Sequence, residues 1–292
     1  MLGRLNFKVL SYYEGSNEIN LHSLSLKLEK IDSVNKNIEL TSDVANGSIK
    51  GQFTFSELDM AFNKYLSNYI PSYIVAENRT KKLSNQIFEY EFNFKNIQPV
   101  LDIFANGMQI SDNTILRGNF NLEDNFMNTQ IASNYLKFGA VKSVNPVIIA
   151  QTFGKNIYVT FQSGNLKYND SLEIGNLIAN TVTVNDRSTF SINWHNDNSK
   201  KVFSGDLSGN VLFRKGMPVL VQFDQSDLTL NDSLYQIADK GKIEIDTGFI
   251  RIHDFELYSK SQSINIDGRI SKEHYDIVQI TFKIVLLDGC DD

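Results

Sequence analysis

The side chains able to do chemistry are few and scattered. Four histidines, His22, His195, His253 and His274, stand far apart, and none has a second ligand at a metal-binding spacing such as H-x-x-x-H. His195 follows Trp194 and precedes Asn196-Asp197-Asn198, which predicts a hairpin tip. Paired carboxylates are the signature of glycoside hydrolysis. Glu89 and Glu91, like Glu244 and Asp246, lie two residues apart. Both pairs alternate with large apolar residues, the pattern of the wet face of a strand. Asp224, Asp227 and Asp232 lack the fixed glycine and final glutamate of a calcium loop. The glycines occur singly, so no phosphate-cradling loop forms, and G-x-S-x-G is absent. Cys290 is the one cysteine and can make no internal disulfide. Lysines pair only at Lys81-Lys82 and Lys200-Lys201. With a net charge of -6 this leaves no clustered basic face for nucleic acid. These residues assign no catalytic, cofactor-binding or metal-binding position.

The elements that would carry any site are strands. Phe88, Tyr90, Phe92 and Phe94 alternate with Glu89, Glu91 and Asn93. Ile157, Val159 and Phe161 repeat the pattern, as do Phe190, Ile192 and Trp194; Val219, Val221 and Phe223; Ile243 and Ile245; Ile250 and Ile252; and Ile264 and Ile266. Period two puts one set of side chains on one sheet face and the polar set on the other. One greasy and one wet face predict an antiparallel sheet. Turn residues at Asn46-Gly47, Asn106-Gly107, Asn169-Asp170, Lys215-Gly216 and Asn231-Asp232 predict short connections and a meander.

Two segments read as helices. Ser56 to Ile70 carries Leu58, Phe62, Tyr65, Leu66 and Tyr69 as a helical stripe, opened by Ser56 and Asp59 and stopped by Pro71. Asn96 to Ala105 is shorter, with Pro99 in its first turn. Each follows a strand directly, a position from which an amphipathic helix caps or lines the apolar sheet face. An apolar-x-Gly-x-apolar motif recurs at Ile49-Gly51-Phe53, Leu116-Gly118-Phe120 and Ile266-Gly268-Ile270.

The alternation yields about 18 to 20 strands, and open sheets rarely exceed about 10 without curling or splitting. At about 4.8 Å per strand a flat sheet would run on the order of 90 Å. The strands therefore curl into a trough, close into a barrel, or divide into two sandwiches. No apolar run is long enough for a signal peptide or a membrane-spanning helix. The chain is therefore cytosolic, or the piece that targets it lies outside this sequence.

The run from Asn37 to Phe53, NIELTSDVANGSIKGQF, leads into the Leu58–Tyr69 stripe and Pro71. With Leu234 to Asp246, Ile250 to Leu257 and Ser261 to Gly268, it resembles the TamB translocation and assembly module family, in the form found in Bacteroidetes-type bacteria. TamB belongs to the AsmA-like group of repeating β-groove proteins. The resemblance covers about residues 3 to 283 and rests on patterns of strand and turn. It implies an all-β, mainly antiparallel meander with one or two short amphipathic helices, its long sheet curled into an open U-shaped groove. It implies one repeating β-groove segment over 1–283 with an atypical tail at 284–292, the mark of a truncated reading of a longer gene.

The implied function is non-enzymatic: conduction of phospholipid acyl chains between inner and outer membranes. The floor of the groove would be Phe88, Tyr90, Phe92, Phe94, Ile157, Val159, Phe161, Val219, Val221, Phe223, Ile264 and Ile266. No cofactor is implied. The implied location is the periplasm, attached to the inner membrane through an N-terminal anchor that this chain does not include. An outer-membrane β-barrel assembly protein would dock through parts likewise not included. Two alternatives stay open: a chaperone-like factor for outer-membrane protein insertion and autotransporter secretion, and a structural β-solenoid.

Overall fold

The computed structural model describes residues 3–15, 17–74, 83–169, 172–196, 202–230, 232–260, 262–271 and 276–284. Cys290, His274, Lys81-Lys82, Lys200-Lys201, Asp170, Asn231, Asp197-Asn198 and the tail from 285 lie outside the described residues. The described chain is mostly antiparallel β, with 22 strands in one sheet, a separate two-stranded hairpin and two short helices. It divides into two compact units, one of residues 1–66 and 76–173, the other of residues 67–75 and 174–292.

The first unit contains β1 (Gly3–Phe7), β2 (Leu10–Glu14), β3 (Asn17–Leu21), β4 (Leu24–Lys30), β5 (Lys36–Ser42), β6 (Ala45–Gln52), α1 (Leu58–Leu66), β7 (Ile87–Phe94) and α2 (Gln98–Phe104). It continues through β8 (Met108–Ile110), β9 (Thr114–Asn121), β10 (Phe126–Ala132), β11 (Tyr135–Phe138), β12 (Val141–Val144), β13 (Val147–Phe153) and β14 (Asn156–Tyr168). Its ladder runs β1, β4, β5, β6, β7, β9, β10, β13, β14. A parallel track of short strands, β8, β11 and β12, joins the second half of β14. The β2–β3 hairpin stands apart from this ladder.

The second unit holds β15 (Leu172–Val184), β16 (Arg187–His195), β17 (Phe203–Leu212), β18 (Val219–Phe223), β19 (Ser226–Leu230), β20 (Ser233–Ile237), β21 (Lys242–Ile245), β22 (Phe249–Tyr258), β23 (Gln262–Ser271) and β24 (Val278–Ile284). β17 pairs with β18 along one half and β19 along the other, and β22 gathers β21 and β20 in the same way. Residues 67–74 dock here: the Ser72 N–H and hydroxyl donate to the Asp186 carboxylate at 2.7 and 2.8 Å, and the Asp186 N–H donates to the Tyr69 carbonyl at 2.8 Å.

Alternation predicts about 18 to 20 strands because it sees each apolar run once. The structure has 24 among the described residues, since long strands are interrupted midway, as at β8/β9, β10/β11, β12/β13 and β18/β19. Asn113 and Asn145 adopt left-handed φ at two of these breaks, a conformation asparagine tolerates. The ladder still crosses the breaks. The Ser111 N–H donates to the Tyr135 carbonyl, the Ser133 N–H to the Pro146 carbonyl and the Asn145 N–H to the Asn134 carbonyl. Hydroxyls mend what remains: Ser133 Oγ lies 2.9 Å from Ser111 Oγ and 2.7 Å from Thr114 Oγ1, and donates to the Tyr135 carbonyl. Ser226 at the β18/β19 break does the same for the Asp224 carbonyl and the Ser208 N–H. Ser133→Ala is therefore expected to cost about 1 to 3 kcal/mol, the range for leaving buried polar partners unsatisfied. Urea denaturation against the unsubstituted chain measures it.

The Asn46-Gly47 pair does not turn, contrary to the sequence reading. It lies inside β6, with Gly47 opposite both Leu40 and Phe92. A Cβ on Gly47 would stand 2.2 Å from the Phe92 ring, so this glycine makes room for an aromatic on the next strand. The turn falls earlier, at residues 43 and 44, where Ser42 Oγ donates to the Ala45 carbonyl and accepts from the Ala45 N–H. Both predicted helices form, shorter than expected, at 58–66 and 98–104.

Candidate functional site

Residues directly opposite in a ladder share a sheet face, so register decides which side chains meet. In the first unit Phe88 faces Phe120, Tyr90 faces Gly118, and Phe92 faces Leu116. Phe120 faces Met127, and Leu116 faces Ile131. Ile131 faces Ile148, which faces Phe161; Thr129 faces Ala150, which faces Val159. Phe88, Tyr90, Phe92, Phe94, Ile157, Val159 and Phe161 therefore lie on one face, with Ile38, Leu40 and Ile49 continuing it toward β4.

In the second unit Val219 and Val221 face Ile245 and Ile243, which face Ile250 and Ile252. The Phe223 and Phe255 rings meet edge to face at 5.4 Å, Phe255 faces Ile266, and Leu257 faces Ile264. Val219, Val221, Phe223, Ile264 and Ile266 thus belong to one face of this unit. The twelve expected floor residues fall into two sets, one in each unit.

The opposite face is wet. Lys50 Nζ sits 3.6 Å from Glu89 Oε1, and Arg117 grips Gln130 Oε1 through Nε and Nη2 at 3.0 and 2.7 Å. Glu89 lies here beside Lys50, and Glu91 lies in register with Arg117. Glu244 likewise lies 3.5 Å from both Arg214 Nη2 and His253 Nε2. No group of three or more His, Cys, Asp or Glu able to hold a metal ion occurs among the described residues. Among these residues no helix is long and apolar enough to cross a membrane, which says nothing about spanning by strands.

Rings on the apolar faces lie low because glycines receive them. The Cβ of a residue at Gly118 would stand 2.7 Å from the Tyr90 hydroxyl, at Gly205 2.1 Å from the Trp194 indole, and at Gly209 2.7 Å from the Phe190 ring. In each pair an aromatic covers a glycine directly opposite on the neighbouring strand. The Tyr90 hydroxyl also reaches Thr129 Oγ1 at 2.6 Å, across the intervening glycine strand, and burial pushes its pKa up. Gly51 and Gly268, from the recurring apolar-x-Gly motif, have φ of 137° and 145°, which only glycine adopts readily. Sequence reasoning located the aromatics but not the glycines beneath them, since that pairing exists only once the register is fixed.

Most of these floor side chains remain partly accessible. Phe88, Tyr90, Phe92, Phe94, Val159, Phe161, Val221 and Phe223 are half-buried, and only Ile157 among the twelve is buried. In the first unit α1 lies over the apolar face. Ala61 and Tyr65 are fully buried, the Tyr65 ring meets Phe120 edge-on at 5.5 Å, and its hydroxyl lies 2.5 Å from Thr152 Oγ1 on β13. A cavity of about 360 Å³ remains between the first half of α1 and the sheet, lined by Leu58, Asp59, Phe62, Phe88, Tyr90, Phe120 and Met127.

Set against protein-family models, the curated proteins and the solved structures, the chain matches none of them.

Proposed function

We propose that the chain is a non-catalytic segment of a periplasmic envelope protein whose apolar sheet faces hold phospholipid acyl chains and pass them between the inner and outer membranes. The observation that carries this reading is the half-buried aromatic and aliphatic face in each unit, with several of its rings laid over glycines of the neighbouring strand. Burial of apolar surface is worth about 25 cal/mol per Å², so such a face is satisfied by hydrocarbon as well as by protein. Successive strands offer similar contacts, so a chain moving along them exchanges one apolar neighbour for another without a large barrier. Head groups stay in water beyond the face. The resemblance to TamB-type proteins supports the same reading.

The test is mass spectrometry of lipid copurified with the detergent-free, folded chain expressed in a bacterial periplasm. Phospholipid at a stoichiometry near or above one per chain is expected. A folded sample free of phospholipid overturns the proposal.

One observation favours a second reading, strand templating of unfolded outer-membrane proteins. β24 is exposed, with Ile280, Phe282 and Ile284 at 53, 70 and 75% exposure, and among the described residues the strand registered against it is β23. Unpaired apolar edges template added strands. A photo-crosslinker at Thr281 captures an unfolded outer-membrane β-barrel protein on this reading; the lipid reading expects no such capture.

A further inference from the structure

We infer that the cavity beneath α1 is an end pocket that receives the methyl end of an acyl chain, tail first, while the rest of that chain lies along β7. The inference rests on the lipid reading and adds a fixed terminus and a direction to it.

The cavity holds about 360 Å³. Water lying against its walls gives up hydrogen bonds that bulk water or polar walls would supply. Its walls return few. Leu58, Phe62, Phe88, Phe120 and Met127 offer no good hydrogen-bonding group, and the Tyr90 hydroxyl is already engaged with Thr129. Hydrocarbon suits these walls better. The size is at the small end of pockets for organic ligands, about 300 to 1,000 Å³.

The roof is braced, so the space does not simply collapse. Ala61 and Tyr65 are at 0% exposure against the sheet, and Tyr65 is tied to Thr152. Phe62 is different. It stays 44% exposed, with its ring 6.1 Å from Tyr65 and 6.4 Å from Phe120, and forms a side wall in contact with solvent. Met127, 8% exposed, is the most deformable part of the lining.

Two features set the direction. Phe88 and Tyr90 belong both to the pocket wall and to the ladder that continues through Phe92 to Phe94, a run of about 20 Å along the strand. A chain rooted in the pocket therefore has an apolar path leading out of it. Asp59 is exposed and is the one charged residue of the lining. A carboxylate there disfavours a fatty-acid carboxylate or an anionic head group, while the remaining walls offer a head group no polar partner.

The experiment uses the full chain labelled with ¹³C-methyl methionine and vesicles of phosphatidylcholine carrying a nitroxide at carbon 5 or carbon 16 of one acyl chain. Met127→Leu assigns the reporter methyl. The carbon-16 label is expected to broaden the Met127 methyl at least threefold more than the carbon-5 label, and Leu58→Trp, which fills the pocket, is expected to abolish that difference. Equal broadening, or stronger broadening by the carbon-5 label, overturns the tail-first pocket. No broadening at Met127 while phospholipid still copurifies overturns the pocket and leaves the lipid reading standing. Absence of phospholipid from the chain altogether overturns both.

Discussion

Gly209→Ala is expected to lower stability by about 3 kcal/mol or more, although it adds a single methyl group. A Cβ at this position would stand 2.1 Å from the Gln222 carbonyl oxygen and 2.7 Å from the Phe190 ring. The ring could swing aside, but the carbonyl belongs to the β17–β18 ladder, where Asn210 pairs with Gln222. Relief requires the strand itself to move. Overpacking a fitted site costs typically 1 to 3 kcal/mol and occasionally more, and a backbone clash belongs at the upper end.

Two companion variants make the prediction specific. At Gly205 the nearest atoms are all of the Trp194 indole, so Gly205→Ala displaces a side chain and leaves the ladder intact. A smaller loss is expected there, with a red shift in the emission of the chain's single tryptophan, now 8% exposed, as it lifts from the sheet. At Gly164 the nearest atom is the Val144 carbonyl oxygen at 3.6 Å, an ordinary contact. Gly164→Ala is expected to change stability by no more than about 1 kcal/mol, toward gain, because alanine narrows the unfolded ensemble. Urea midpoints rank the three. Equal effects at Gly209 and Gly164 would show that the rings are not seated on their glycines.

Phe92→Asp and Phe161→Asp are each expected to reduce copurified phospholipid at least tenfold while leaving the chain folded. Phe92 lies in the middle of the first unit's apolar face, stacked on Phe94 at 6.3 Å, and Phe161 faces Ile148 on the same surface. Both are half-buried, so their carboxylate replacements keep water when no lipid is present. Bound hydrocarbon would strip that water away. The cost of taking a charge into an apolar setting far exceeds the 1.4 kcal/mol that a tenfold loss represents. Glu89→Gln, on the wet face between these aromatics, is the matched control, and lipid content should stay within twofold of the unsubstituted chain. Loss of lipid in the control but not in the two aspartate variants would place the ligand on the wrong face and end the reading.

These two sets of variants probe different levels. The glycine series tests how the rings are seated, which is a property of the fold. The aspartate pair tests what lies on the rings, which is a property of function. A chain whose rings are seated and whose faces bind nothing would fit a structural β-solenoid.

Much of the architecture was legible in the sequence because period two is a local property. Phe88 to Phe94 alternates with Glu89 to Asn93 whatever their partners, and that suffices to sort side chains between two faces. Helices were legible for the same reason, through the 3.6-residue stripe of Leu58, Phe62 and Tyr65. The Asn46-Gly47 pair misled because Asn-Gly satisfies two unrelated demands, positive φ in a turn and an absent Cβ inside a strand. Strand breaks were not foreseen, although the serines and left-handed asparagines that make them, Ser111, Asn113, Ser133 and Asn145, are visible in the sequence. Their meaning depends on carbonyl groups contributed by neighbouring strands.

The sequence by itself determined the strand class, the antiparallel pairing and the identity of the apolar set, since each follows from spacing within a few residues. Only the tertiary structure decided which apolar residues face one another, which glycine lies under which ring, and that α1 leaves a cavity over Phe88 and Phe120. Those facts depend on register between segments tens of residues apart, and a slip of one residue would send every floor side chain to the wet face.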